Sequence, residues 1–144
     1  MQVFVVGSPL ETAMALSPRH LRNQINEAHI ILAAICGESK AWSHHPVVLM
    51  YSELNSAKWL QMYADILERY LDGSLELISD NIKAKNITPS FHTPEFIENM
   101  KKRLYTKDPV HYAQWAGLGK SEENWYWSPC ENGIIKYVNG KRIK

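Results

Sequence analysis

Apolar and polar positions separate clearly in the run from His20 to Leu32. Apolar residues recur at the spacing of one helix face and predict a stripe that packs on the core: Leu21, Ile25, Ala28, Leu32 and Ile35. A second stripe on the same predicted helix is wholly polar: His20, Asn23, Gln24 and Glu27. Glu27 thus lies at the edge of a predicted buried face, where a carboxylate suits acid–base chemistry, although a polar stripe is also typical of a solvated surface.

Helix start and stop signals predict several further helical segments. Ser17-Pro18 predicts the start of the helix that carries Glu27, and Gly37 its end. Pro46 is predicted to open one long helix that continues to about residue 71. Thr93-Pro94 predicts another helix, to about residue 105, and shorter helices are predicted over residues 9–16 and 109–115.

The β signals lie near the two ends of the chain. Residues 2–6 form a short β-type run, and the dipeptide Asn139-Gly140 predicts a type I′ hairpin between residues 134–138 and 141–144. In between, Leu75, Leu77 and Ile78 are predicted to form one turn of helix. Residues 81–89 are predicted to be a connection, and residues 122–129 to be aromatic and irregular. The pattern predicts a mainly α fold, with residues 1–129 as the main domain and residues 130–144 as a hairpin extension.

Composition narrows the classes of function. The chain has 144 residues and two cysteines, Cys36 and Cys130, which predicts a globular domain without a disulfide framework or a four-cysteine zinc site. No apolar run reaches the roughly 20 residues of a membrane span, and we expect a cytoplasmic protein without membrane contact. We also expect no metal and no cofactor, because His44 and His45 are adjacent and have no ligand partner at helical spacing. The net charge of +1 argues against non-specific duplex binding, although Lys101, Lys102 and Arg103 form a local cationic cluster with Lys107.

Three blocks of sequence resemble a known family. Residues 20–32 are similar to the pattern R-L-x-K-Q-R-x-E-x-x-x-I-L, and residues 42–51 to W-x-x-H-P-x-x-x-M-[WY]. The third block combines Phe91-His92 with the run from Lys107 to Tyr112, and residues 125–129 match a Trp-rich ending loosely. Together they resemble the pyrimidine-dimer DNA glycosylase family, the group that includes phage T4 endonuclease V. The resemblance extends over residues 1 to 129 and implies a compact helical T4-endonuclease-V-like domain with the N-terminal segment threaded into the active site.

The resemblance implies a specific chemistry. The α-amine of Met1 would attack the sugar C1′ of a damaged nucleotide and form a Schiff base, and Glu27 would assist sugar opening and β-elimination. The partner would be damaged duplex DNA from which a base is extruded. Basic residues would contact its phosphates: Arg19, Arg22, Lys101 and Lys102.

A second interpretation stays open, because four positions that are cationic in the family are Asn23, Ile25, Asn26 and Ile30 here. A polar and nearly neutral pocket is predicted instead, with the ligand-binding residues His20, Asn23, Gln24, Asn26 and His45. Amide side chains can read base edges, and aromatic side chains could stack on bases: Trp125, Tyr126 and Trp127, with Tyr112 and Trp115. The alternative is a non-catalytic protein of the same fold that sequesters a small, cyclic nucleotide as phage anti-defence sponges do, as a homo-oligomer. An interaction module without a small ligand is a third possibility.

Overall fold

Helices account for most of the regular structure in the computed structural model, which describes residues 1–73 and 77–143. The α-helices are α1 (Pro9–Ala15), α2 (Pro18–Ile35), α3 (Pro46–Met50), α4 (Leu54–Leu71), α5 (Ile78–Asn86) and α6 (Pro94–Lys107). A 3₁₀ helix (Ala113–Leu118) follows, and then the strands β1 (Asn124–Ser128), β2 (Gly133–Val138) and β3 (Lys141–Ile143). The strands form one antiparallel sheet in the order β1-β2-β3. This arrangement confirms the predicted mainly α fold with a small β element.

The predicted helix starts are confirmed by their caps. The hydroxyl of Ser17 accepts a hydrogen bond from the His20 N–H at 3.3 Å, and that of Thr93 accepts one from the Phe96 N–H at 3.2 Å. A proline follows each cap at the first helical position, where its missing N–H costs no hydrogen bond. The hairpin turn is confirmed as well: Asn139 has φ 52° and Gly140 φ 76°, as a type I′ turn requires.

The core forms where α2 and α4 pack together and where aromatic side chains meet. Its largest fully buried side chains include Trp59, Tyr51, Tyr63, Tyr112 and Phe96. The buried face of α2 differs from the predicted stripe, because Gln24 is only 3% exposed whereas Ile25 is half-buried. The helix turns this side toward the N-terminal segment, so one residue of the predicted polar stripe is part of the interior.

The single long helix predicted from Pro46 is wrong, since residues 51–53 separate α3 from α4. Tyr51 leaves the helical conformation with φ −100° and ψ 8°. Its fully buried ring stacks on Trp59 with 6.0 Å between ring centroids and meets the edge of Phe91 at 5.4 Å. Burial of this ring in the aromatic core accounts for the break.

Two predicted irregular segments are regular, and the β-type run at the N-terminus is not a strand. Residues 81–86 belong to α5, where Asn81 accepts a hydrogen bond from the Leu10 N–H at 2.9 Å and so fastens α5 to α1. Residues 124–128 form β1, which is specified by its pairing with β2. Residues 1–5 have no regular secondary structure, because side chains rather than a neighbouring strand bind their backbone.

Three smaller points concern the connecting segments. The helix predicted over residues 109–115 is a turn followed by the 3₁₀ helix. Leu75 lies outside the described residues, while Leu77 precedes α5 and Ile78 begins it. Residue 129 lies in the turn between β1 and β2, which pair with each other. No helix in the described part of the chain is long and apolar enough to cross a membrane.

Candidate functional site

The N-terminal segment is held against α2 by the side chain of Gln24. Its Oε1 accepts a hydrogen bond from the Phe4 N–H at 2.7 Å, and its Nε2 donates to the Gln2 carbonyl at 2.9 Å. The amide thus binds the segment in the way a residue of a neighbouring strand would. Because Gln24 is almost fully buried, both bonds are protected from water, and the register of residues 1–5 along α2 is fixed.

Two tyrosines fasten the same segment from opposite sides. The hydroxyl of Tyr63 on α4 lies 2.8 Å from the Phe4 carbonyl and 2.8 Å from Gln24 Oε1. The hydroxyl of Tyr126 on β1 donates to the Met1 carbonyl at 3.2 Å. Burial raises the pKa of Tyr63 well above its usual value and that of Tyr126 to about 12, so both hydroxyls keep the protons that they donate.

Glu27 lies beside this segment, one helical turn after Gln24. Its Oε2 accepts hydrogen bonds from the Gln2 N–H and from Gln24 Nε2, each at 3.2 Å. Its Oε1 has no hydrogen-bond partner among residues 1–73 and 77–143, and no ion pair is formed by Glu27 within that part of the chain. One carboxylate oxygen is therefore positioned by the N-terminal segment, and the other is available to a substrate.

His45 lies beside Tyr126, the residue that binds the Met1 carbonyl. Burial lowers the pKa of His45, and the positive α-amine of Met1 lowers it further. His45 Nδ1 accepts a hydrogen bond from the Val47 N–H at 3.1 Å, so the neutral ring carries its proton on Nε2. The ring meets that of Tyr126 edge-on at 5.7 Å. His45 thus offers a hydrogen-bond donor rather than a base at this position.

A pocket of about 220 Å³ opens next to Glu27. Its walls come from the N-terminal segment, α2 and the end of α6: Phe4, Arg19, His20, Asn23, Gln24, Glu27 and Lys107. The structure therefore brings five of the predicted site residues together on one surface. Arg19 and Lys107 supply two cations at the rim, where they could bind phosphate.

His20 is oriented in this pocket by a chain of hydrogen bonds. The Ser17 N–H donates to the Tyr112 hydroxyl at 3.0 Å, and that hydroxyl lies 2.7 Å from His20 Nδ1. This hydrogen bond to Nδ1 fixes the orientation of the ring and leaves Nε2 free to contact a ligand. Burial and then the charge of Arg19 lower the pKa of His20, which favours the neutral ring.

Several predicted site residues lie elsewhere. Trp125 donates from its indole to Glu123 at 2.9 Å and carries Lys136 over its ring at 4.3 Å, and Trp127 stacks on Phe91 with 6.0 Å between ring centroids. The remaining ones lie outside the walls of the Glu27 pocket: Arg22 and Asn26 are exposed on α2, Lys101 lies over the Trp115 ring at 5.9 Å, and Lys102 is half-buried on α6.

Tyr63 is the residue that sequence reasoning missed, while Tyr112 and Tyr126 serve through their hydroxyls rather than by the predicted stacking on bases, and Lys107 lies at the Glu27 pocket. Successive side chains of a strand point to opposite faces, so a strand over 124–128 would have turned Tyr126 away from Trp125 and Trp127. Lys107 stands in the third family-like block, which was the available signal. No group of three or more His, Cys, Asp or Glu side chains that could hold a metal forms within residues 1–73 and 77–143.

A comparison with known protein families found a match for the N-terminal part of the chain. A family model described as pyrimidine dimer DNA glycosylase matches residues 1–69. The matched range comprises the N-terminal segment, α1, α2, α3 and all but the end of α4, and it confirms the resemblance for this part of the chain. Neither the curated proteins nor the solved structures gave a match to the chain.

Proposed function

We propose that this protein is a pyrimidine-dimer DNA glycosylase and AP lyase that acts through the α-amine of Met1. The observation that carries the proposal is the hydrogen bond from the Gln2 N–H to Glu27 Oε2 at 3.2 Å, which brings the N-terminus to a carboxylate. An α-amine is less basic than a lysine side chain in general, so it is a competent imine-forming nucleophile near neutral pH. The family match over residues 1–69 includes both groups.

The proposed steps begin with attack of the neutral α-amine on the sugar C1′. A C–N bond forms as the bond from C1′ to the damaged base breaks, and the base leaves with a proton. The sugar ring then opens and gives the Schiff base. Ring opening requires that the ring oxygen accept a proton. Loss of a C2′ proton then expels the 3′ phosphate. The free Oε1 of Glu27 is the group that exchanges protons in the last two steps.

The surrounding residues position the nucleophile and the DNA. Glu27 and Tyr126 bind the N–H and the carbonyl of the first peptide bond, and Gln24 binds the next carbonyl, so the amine has little freedom to move. His45, whose Nε2–H is a donor, suits a sugar or phosphate oxygen next to the amine. Arg19 and Lys107 suit the phosphates on either side of the damaged nucleotide.

Borohydride trapping on duplexes with a thymine dimer or an abasic site tests the proposal. Protein with an unmodified Met1, verified by intact mass, is expected to give a covalent adduct that peptide mapping locates at Met1. Glu27→Gln is expected to lower strand cleavage by about 10²- to 10⁴-fold while DNA binding persists. Glu38→Gln, an exposed carboxylate after the end of α2, is the matched control and should cleave like the wild type. No adduct with folded protein, or full cleavage by Glu27→Gln, would contradict the proposal.

A second candidate function is the sequestering of a small nucleotide. It is favoured by the uncharged amides of Asn23 and Gln24 beside the cations Arg19 and Lys107, a combination suited to a base edge and a phosphate. This function predicts no adduct, a raised melting temperature with a cyclic or linear nucleotide, and a homo-oligomer in light scattering. A monomer whose melting temperature no nucleotide changes would contradict it.

A further inference from the structure

A second and larger concave site lies away from Glu27. A groove of about 650 Å³ separates the start of α4 from the segment between α5 and α6 and from the turn between β1 and β2. It shares no lining residue with the pocket beside Glu27. Its volume is in the range of small-molecule binding clefts. The proposed reaction uses none of its residues, so the groove needs an explanation of its own.

Uncharged polar side chains line the groove without using their hydrogen-bonding capacity. Five of them have no side-chain partner among the described residues: Asn55, Ser56, Asn86, Ser90 and Asn132. Ser56 is the least exposed of them, at 4%, and its hydroxyl forms no hydrogen bond within this part of the chain. The hydroxyl is not one of the fully buried unpaired atoms, so it reaches the groove, where it can bind a ligand or water.

The start of α4 adds backbone donors at the same place. Glu53 occupies the N-cap position, but its side chain makes no capping hydrogen bond to this 18-residue helix. The N–H groups of Asn55 and Ser56 belong to the first turn and have no acceptor within the helix. Both residues line the groove, so these donors and the Ser56 hydroxyl lie together in its wall.

An aromatic pair forms another part of the wall. Trp127 stacks on the buried ring of Phe91, with 6.0 Å between the centroids and 14° between the planes. Phe91 packs against the indole and restricts its movement. The partly exposed indole then presents a rigid apolar surface beside the polar side chains.

The charges of the groove disfavour an anionic ligand. Its described lining contains no lysine or arginine, and its one ionisable side chain is the carboxylate of Glu53. A phosphate at the α4 terminus would be repelled by that carboxylate. Hydroxyl and amide groups that both donate and accept, next to one apolar ring, match a ligand whose hydroxyls do the same and whose C–H face is apolar. We propose that the groove binds an uncharged polyhydroxylated ligand, a sugar ring, with Trp127 against its C–H face.

Saturation-transfer NMR on the full chain without DNA tests this proposal. The probes are methyl glucopyranoside, methyl galactopyranoside, N-acetylglucosamine and ribose, with thymidine and inorganic phosphate run in parallel. At least one sugar is expected to bind. Loss of one hydrogen bond in Ser56→Ala or Asn86→Ala should weaken that binding by about fivefold.

Control variants distinguish a loss of sugar binding in the groove from a loss of folding and from the proposed catalysis. Ser79→Ala, an exposed serine on α5 outside the groove, should bind the sugar like the wild type. Asn86 is exposed, so Asn86→Ala keeps the test valid if Ser56→Ala lowers the melting temperature. Binding of thymidine or phosphate alone, binding of no sugar, or sugar binding unchanged in both groove variants would overturn the proposal. DNA trapping does not enter the measurement, so its failure would leave this result unaffected.

Discussion

His92 should make the protein less stable as the pH falls below neutral. Its ring lies 4.6 Å from Trp59 and 5.9 Å from Phe96 between ring centroids, and its Nε2 is 2.8 Å from the Tyr51 hydroxyl. Its Nδ1 is buried without a hydrogen-bond partner in the described part of the chain. Burial lowers the pKa of His92 to about 3, so the folded protein holds this ring neutral.

The magnitude follows from the difference between the folded and unfolded states. In an unfolded chain a histidine has a pKa of about 6.5, so between that value and about 3 the unfolded state binds a proton that the folded state does not. Stability is therefore complete above about pH 6.5 and decreases as the pH falls, by at most about 1.4 kcal/mol per pH unit. Between pH 7 and pH 5 the His92 contribution amounts to about 2 kcal/mol.

Urea unfolding followed by tryptophan fluorescence measures this loss at both pH values. His92→Gln removes the titration and keeps a donor near Tyr51, so the variant should lose about 2 kcal/mol less than the wild type between pH 7 and pH 5. His20 and His45 titrate in both proteins, and their contributions cancel. His44→Gln, an exposed histidine, should retain the wild-type loss. Equal losses in the wild type and His92→Gln would refute the assignment of a neutral buried ring.

Three further predictions concern the site. Gln24→Leu leaves the Phe4 N–H and the Gln2 carbonyl unpaired. The variant should lower the free energy of unfolding in urea by about 2 to 4 kcal/mol and abolish borohydride trapping. Wild-type stability would contradict the role of this amide. Tyr126→Phe removes the bond to the Met1 carbonyl and should reduce the yield of borohydride adduct without weakening DNA binding in a gel-shift assay, whereas weaker DNA binding would indicate a different role. The double variant Arg19→Ala and Lys107→Ala should reduce the slope of log binding constant against log salt concentration by about 2, and an unchanged slope would show that neither cation contacts phosphate.

Local signals in the sequence predicted the helix starts and the hairpin correctly. The hydroxyl of a cap such as Ser17 or Thr93 accepts a hydrogen bond from the backbone N–H three residues further on. The dipeptide Asn139-Gly140 forms its turn because both residues tolerate a positive φ. The break after α3 could not be predicted this way, because it depends on rings from two other segments that bury Tyr51. Strand β1 likewise depends on a partner that follows it in the chain.

The candidate site shows the same division. The polar stripe of α2 contains His20, Asn23, Gln24 and Glu27, and the structure places all four on the pocket. Its periodicity could not show that Gln24 is buried, because the groups that cover it belong to the N-terminal segment. Tyr126 and Lys107 approach from β1 and α6, more than 75 residues further along the chain, and no spacing within α2 could indicate them.

The hydrogen bond between Tyr126 and Met1 joins residues that are 125 positions apart, and it has a consequence for the order of assembly. A ribosome adds roughly 5 to 20 residues per second, so Met1 is made roughly 6 to 25 s before the tyrosine that binds its carbonyl. Gln24 is available within the first few seconds, and α4 brings Tyr63 next. The N-terminal segment therefore gains its hydrogen bond to the sheet only after residue 126 has been made, long after the bonds to Gln24 and Tyr63 are possible.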